Sequence, residues 1–270
     1  MPYLERPGGV KIHWEQRGSG PLVVLAPYAN AHPSAYDPLE AELSRDHRVA
    51  RYDDRGTGAS DRTGPYDMET GADDLEALIE KAGGPAVVIA LADAVHRAAR
   101  VAARRPDLVD GLVIAGGSPA GRRHLEGTDA MVASDSVLDA FMSMGETDYR
   151  GALRTIVTAA NPQMSEDEVR ERVRLQAEHQ PHEAIMARWR AWADDDATEP
   201  GRECGERLWL LYSESMTGGW FPAGEDARRV SRRLFPDAHV EEIADGMVSR
   251  PDEVGGFVRR ITAKARATTA

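Results

Sequence analysis

Short apolar runs alternate with helical patterns over the first half of the chain. Val10–Gln16 alternates apolar and polar positions, the period of a half-buried strand. Leu22–Ala26 is a continuous apolar run behind Gly18-Ser19-Gly20-Pro21, which predicts a buried strand. Tyr36–Leu43 reads as a short helix and His47–Asp53 as a third strand. Thr70–Lys81 carries Leu75, Leu78 and Ile79 at helical spacing, with Asp73 and Asp74 in its first turns. Behind Gly83-Gly84-Pro85, Ala86–Ala90 predicts a fourth core strand. It runs into an Ala/Arg-rich helix at about Asp93–Arg105, closed by Pro106. Leu108–Ala115 is the next strand. Strands alternating with helices of this length imply crossover units and a parallel sheet.

After Ser118 the pattern becomes helical and polar. Ser134–Met144, Tyr149–Ala159, Ser165–Gln180 and His182–Asp194 are the expected helices, with a capping box at Ser165 and Glu168. Residues 194–201 read as an exit loop. Sheet logic resumes with a strand at Leu208–Tyr212, a helix at Glu225–Leu234, a strand at Val240–Ile243 and a helix at Asp252–Lys264. The expected organisation is an α/β core of residues 1–118 and 206–270, with a helical cap of residues 119–205.

Composition narrows the function. Of 270 residues, 41% are hydrophobic, enough for a folded chain that needs no staples. A net charge of −12 disfavours phosphate backbones and anionic lipid heads, so no nucleic-acid partner is expected. The single cysteine, Cys204, excludes an internal disulfide framework and a multi-cysteine zinc site, and it reads as a bystander. No His-x-x-x-His pair or glycine-rich phosphate loop occurs, so neither metal nor cofactor is expected. No apolar run of about 18 residues spans a membrane, and no signal peptide is visible, so a cytoplasmic chain is expected. The expected partner is a small-molecule substrate, with homodimerisation left open. The arginines of 97–105 and 228–233 read as solvated helix faces.

The segment Tyr52-Asp53-Asp54-Arg55-Gly56-Thr57-Gly58-Ala59-Ser60-Asp61 resembles the D-x-R-G-x-G-x-S turn of the α/β-hydrolase family. Its glycines permit a bend with positive φ, and Asp53 and Arg55 can tie the turn together. Ala98-x-x-x-Ala102-x-x-x-Pro106-x-x-Val109 is similar to that family's helix after the nucleophile. The resemblance covers residues 1–118 and 206–266. It implies a mostly parallel sheet of about eight strands with a cap inserted between the sixth and seventh.

The same alignment removes the family's chemistry. Where relatives carry G-x-S-x-G, this chain reads Ala90-Leu91-Ala92-Asp93-Ala94, which puts Ala92 at the nucleophile position. The acid position falls on Met216, and the loop Ala244–Pro251 contains no histidine. Ala26-Pro27 replaces the usual His-Gly. Backbone donors survive side-chain changes, and the resemblance assigns the oxyanion amides to Tyr28 and Asp93.

Asp93 opens a helix. It reads as a capping carboxylate, as a general base, or as a nucleophile like that of the family's dehalogenases and epoxide hydrolases. His96, three residues on, is the candidate proton partner, or else satisfies a backbone carbonyl. Tyr28, Asn30, His32 and Tyr36 can orient a polar substrate or serve as ordinary loop residues. Glu214 can stand in for the lost acid, and Trp220 can line an apolar pocket. Met142, Met144, Trp189 and Trp192 read first as packing. The expected function is a serine-free, cofactor-independent enzyme. It acts by acid–base catalysis on a partly apolar small molecule, in a cyclisation, elimination or isomerisation. The alternatives are an Asp93-dependent hydrolase and a non-catalytic binding protein. A generic esterase, with a nucleophile such as Ser118, ranks last.

Overall fold

The computed structural model describes residues 2–29, 31–124, 139–161, 163–213, 224–244 and 250–269. Eight strands form one sheet in the order β1-β2-β4-β3-β5-β6-β7-β8. These are β1 Tyr3–Arg6, β2 Val10–Gly18, β3 Leu22–Leu25, β4 Arg48–Tyr52, β5 Ala86–Ala90, β6 Val109–Ala115, β7 Leu208–Tyr212 and β8 His239–Glu242. β1–β2 and β2–β4 are antiparallel; every later pairing, from β4–β3 to β7–β8, is parallel. The expected strands recur within a few residues of their predicted bounds. The addition is β1, which lies on the edge and hydrogen-bonds to β2 across the turn Pro7–Gly9. Four residues with one buried side chain leave no periodic signal, so this strand was not legible.

Continuous apolar strands are apolar because both faces are covered. Leu22, Val24, Val88 and Ala90 enter the core beneath α2 Met68–Ala82 and α3 Ala94–Arg104. Val23, Leu25, Val87 and Ile89 enter the opposite core, beneath α1 Asp37–Leu43 and α10 Pro251–Thr269. The helix α2 starts on Asp67, whose side chain accepts the Thr70 N–H at 2.7 Å. It stops at Gly83, whose φ of 80° is the left-handed cap that glycine adopts without a Cβ clash. Ala94, Ala98, Ala99 and Ala102 of α3 are fully buried, which lets this helix lie close on the sheet.

Between β6 and β7 the described chain is helical. Residues 139–147 form α4, followed by α5 Tyr149–Ala160, α6 Glu166–His179, α7 His182–Ala193 and α8 Thr198–Glu203. The Ser165–Glu168 capping box is present in both directions. The short α8 replaces part of the expected exit loop. It forms because Asp196 Oδ1 accepts the Thr198 N–H at 2.9 Å and the Gly121 N–H at 3.2 Å, a tertiary tie that local sequence does not announce. Gly224–Leu234 is α9. No helix among the described residues is long and apolar enough to cross a membrane.

Candidate functional site

The link from β5 to α3 is a sharp elbow. Ala92 has φ +48°, the one non-glycine residue with positive φ among those described. A left-handed alanine costs roughly 1–2 kcal/mol, so the surrounding structure must hold it there. It is held by its N–H donating to Gly116 O at 3.0 Å and by its carbonyl accepting from Val95 N at 3.2 Å. Ala92 therefore stands where the sequence alignment put it, on the strained turn between strand and helix.

Asp93 follows, only 1% exposed. One carboxylate oxygen accepts the Ala29 N–H at 2.7 Å, and the other faces Arg97 Nη2 at 3.2 Å. Neither oxygen caps its own helix. Arg97 also donates to Asp54 at 2.6 Å and to Pro27 O at 2.8 Å. Asp54 in turn lies 3.2 Å from Arg188, out of hydrogen-bond alignment, while Arg188 donates to Arg55 O at 2.9 Å. Burial alone would drive Arg97 toward neutrality; Asp54 and Asp93 outweigh it and hold the guanidinium charged, its pKa above the ordinary value. Arg97 is thus not on a solvated face. Its neighbours Arg104 and Arg105 do reach surface carboxylates. Arg55, expected to tie its own turn together, instead grips Asp74 of α2 through two 2.9 Å bonds, and Asp53 ties the turn by accepting the Ala59 N–H.

His96 and Asp93 do not pair. The His96 ring sits edge-on to Trp192, with Nδ1 2.8 Å from Asp195, whose two oxygens also take Arg100 at 2.6 and 2.8 Å. Burial would raise the Asp195 pKa, but the hydrogen bonds from His96 and Arg100 outweigh it and hold the carboxyl below its ordinary range. Sequence reading missed Asp195; its only local signal is the acidic run 194–196. Cys204 is buried, its thiol pushed up to about 11 by desolvation, so it is an inert packing residue instead of a loop thiol.

The loop after β3 is fixed from several sides. Besides the Asp93 and Arg97 bonds, Tyr36 OH donates to Ala26 O at 2.8 Å, and Gln180 Nε2 donates to Tyr28 O and Ala31 O at 3.0 and 2.9 Å. Ala29 packs among Phe141, Ile185 and Trp189 of the inserted helices. Met142 and Trp192 also pack there, whereas Met144 is exposed. The amide N–H groups of Tyr28 and Asp93, the two assigned to an oxyanion, have no acceptor among the described residues.

A narrow crevice of about 20 Å³, room for roughly one water, lies beside this loop. Tyr28, His32 and Tyr36 line it, together with Tyr52, His179 and Gln180. The His32 and His179 rings meet edge to face at 5.5 Å. His179 Nε2 lies 3.4 Å from Asp53, and His32 Nδ1 lies 2.9 Å from Ser34 Oγ. No carboxylate among the described residues lies within ion-pair distance of His32, so the Ser34–His32 contact has no acid behind it. Both imidazoles are lowered in pKa, first by burial; Arg172 adds to this for His32, and His32 adds to it for His179 against the opposing pull of Asp53. Burial raises Tyr28 to about 12, which keeps its phenol protonated. His179 carried no local signal, because its neighbours in space are far off in sequence. Asn30, Glu214, Trp220 and Met216 lie outside the described residues. Among the described residues, no group of three or more His, Cys, Asp or Glu could hold a metal ion.

Comparison with known proteins agrees with this architecture. No family model matches the chain. A 2-(acetamidomethylene)succinate hydrolase of Mesorhizobium japonicum is 28% identical over 177 residues, covering 64% of this chain and 60% of that protein. A bromoperoxidase structure from Bacillus anthracis superposes with TM-score 0.78 at 18% identity, over 95% of this chain and 97% of that one. An esterase structure from Exiguobacterium antarcticum gives TM-score 0.77 at 19% identity, over 98% of each chain. The eight-stranded, mostly parallel sheet, its flanking helices and these superpositions together show that the chain has the α/β-hydrolase fold.

Proposed function

We propose that this chain is an enzyme that acts on a small, partly apolar carbonyl compound without a serine nucleophile, by acid–base catalysis. The observation that carries the reading is the elbow: Ala92 keeps the strained left-handed turn without a hydroxyl, beside two amides with no acceptor among the described residues. Those N–H groups would stabilise charge that develops on a carbonyl oxygen. Asp93 and Arg97 would act as positioning residues, since their bonds to Ala29 and Pro27 fix the loop that carries the Tyr28 amide.

Asp93 is a poor base or nucleophile in this setting, with both oxygens engaged and almost no exposure. An Asp93 ester would break two contacts before it formed. His96 is likewise engaged, as the tie between α3 and Asp195. His32 is the better proton carrier. It lines the cleft with Tyr28, and its lowered pKa keeps it neutral near pH 7. In the step proposed, His32 carries its proton on Nδ1 toward Ser34 Oγ, giving up the Ser34 N–H that Nδ1 accepts at 3.3 Å, so that Nε2 can remove a proton from the carbon next to the carbonyl; the electron pair passes to the oxygen held by the Tyr28 and Asp93 amides. Return of the proton elsewhere is isomerisation; departure of a β-substituent is elimination. The inserted helices, read as a cap, would cover the reacting group. The Mesorhizobium relative is named for a small amide-bearing acid, which is consistent with a carbonyl substrate.

Two measurements test the reading. The chain is incubated in D2O with a panel of small enolisable keto acids and enol-lactones, and α-deuteration is followed by NMR. Exchange that the chain accelerates and His32→Gln loses is expected. A fluorophosphonate probe followed by intact-mass analysis should leave the chain unmodified; a stoichiometric adduct on any serine, or no exchange anywhere in the panel, overturns the proposal.

A further inference from the structure

The sheet ends on β8, and among the described residues no segment pairs with its outer edge. Ile243 N–H donates to Tyr212 O at 2.8 Å, so His239, Glu241 and Ile243 turn their backbone groups toward β7. Val240 and Glu242 turn theirs outward, where no described residue bonds to them. Side chains alternate too. His239 and Glu241 share the α10 face with Trp209. Val240 and Glu242 share the α9 face, where Arg228 donates to Glu242 at 2.9 Å.

The α10 face is held in place. The His239 ring stacks on Trp209 at 3.9 Å and 20°, and the Arg260 guanidinium lies over Phe257 and Trp209 at 4.4 and 5.6 Å. Among the described residues, Arg260 and Glu241 form no ion pair, and the His239 and Glu241 side chains have no hydrogen-bond partner. An open edge offers donors and acceptors that a further strand can take up. The charges on this edge select the strand. Two copies of β8 related by a twofold axis normal to the sheet run antiparallel, and residues opposite each other lie on one face. With the axis at Val240, the two Val240 residues exchange their outward N–H···O bonds. His239 of each copy then faces Glu241 of the other, and an imidazole N–H donates to a carboxylate. With the axis one residue on, Glu241 faces Glu241; one residue back, Glu241 faces Asp237. Like charges directly opposite are destabilising. Charges that only repelled would guard the edge. These fit one register and oppose its neighbours.

We infer that β8 is a self-association surface: two copies of this chain pair through it, antiparallel, with Val240 on the twofold axis. The sheet then continues from one copy into the other. The contact is short, so the dimer is reversible and forms in the micromolar range.

The test is the oligomeric state of the full chain, by sedimentation equilibrium from about 1 to about 500 µM. The wild type should pass from monomer to dimer. Val240→Pro removes the central N–H and should leave monomer alone. Glu241→Arg sets a guanidinium opposite His239, and His239→Glu sets carboxylate opposite carboxylate. Each should weaken dimerisation about tenfold or more. Mixed in equal amounts, these two variants carry opposite charges at both pairs and should form a heterodimer. Cross-linking with diamide reads the register. Val240→Cys should give a disulfide-linked dimer, because a hydrogen-bonded antiparallel pair holds its Cα atoms about 5.5 Å apart. Glu242→Cys should not, since its two copies would lie roughly 13 Å apart. Cys204 is buried, so the wild type should stay unlinked. Glu241 has no side-chain partner to lose, so Glu241→Arg should melt as the wild type does. A chain that stays monomeric throughout overturns the inference. So does a dimer that Glu241→Arg and Val240→Pro leave intact, a mixture that does not pair, or cross-linking through Glu242→Cys instead of Val240→Cys.

Discussion

Two polar groups flank the loop after β3, and they are built in opposite ways. On the elbow side, Asp93, Arg97, Asp54 and Arg188 are all at most 3% exposed, and each carboxylate faces a guanidinium. On the cleft side, His32 and Tyr28 line the crevice with no carboxylate within ion-pair distance of His32 among the described residues. The first arrangement is what burial demands of charge, because an unpaired ion there costs several kcal/mol. The second persists because Tyr28 and His32 stay neutral near pH 7. Paired charges position a backbone; polar groups without a charged partner are free to meet a ligand.

The comparison is broken most severely at Arg97. Arg97→Leu leaves Asp54 and Asp93 buried with one cation fewer, and should destabilise the chain by about 3–5 kcal/mol in denaturant unfolding. A loss below 1 kcal/mol would mean the network is not what fixes the loop. Arg188→Met should have a smaller effect, about 2 kcal/mol, since Asp54 keeps Arg97 at 2.6 Å.

Ala92→Gly tests the elbow itself. Relief of the left-handed strain should stabilise by up to about 1 kcal/mol after glycine's extra chain entropy is subtracted. Destabilisation in a thermal melt would show that the turn is not strained.

The smallest effect belongs to the cleft imidazoles. His32 and His179 are lowered from 6.5 in the folded chain, so the unfolded chain binds their protons more readily. Their contribution is complete above about pH 6.5 and declines as pH falls below it, toward the folded values. Asp53 opposes this shift, while Arg172, Arg62 and Arg51 reinforce it. The double variant His32→Gln/His179→Gln should flatten that acid limb of a stability–pH curve. An unchanged limb would place the titration elsewhere, for example in Asp195, whose lowered carboxyl loses stability only at more acidic pH.

The primary sequence by itself determined the alternation of elements, the position of the helical insertion, the glycine-bearing turn and the alanine at the elbow. Each of these is written locally, in the period of apolar residues or in a fixed spacing from Pro106. It also named Tyr28, His32 and Tyr36, because they share one short loop. What only tertiary structure decided is which charges meet. Arg97 reads as a surface arginine until Asp54, 43 residues away, closes on it, and His96 finds Asp195 across 99 residues instead of the nearby Asp93. His179 reaches the crevice, and Arg172 reaches Ser34, only because α6 packs over the loop, and Gln180 then clamps it. Periodicity records which face of an element avoids water. Pairing of buried charges depends on distances between elements, and no local pattern carries those.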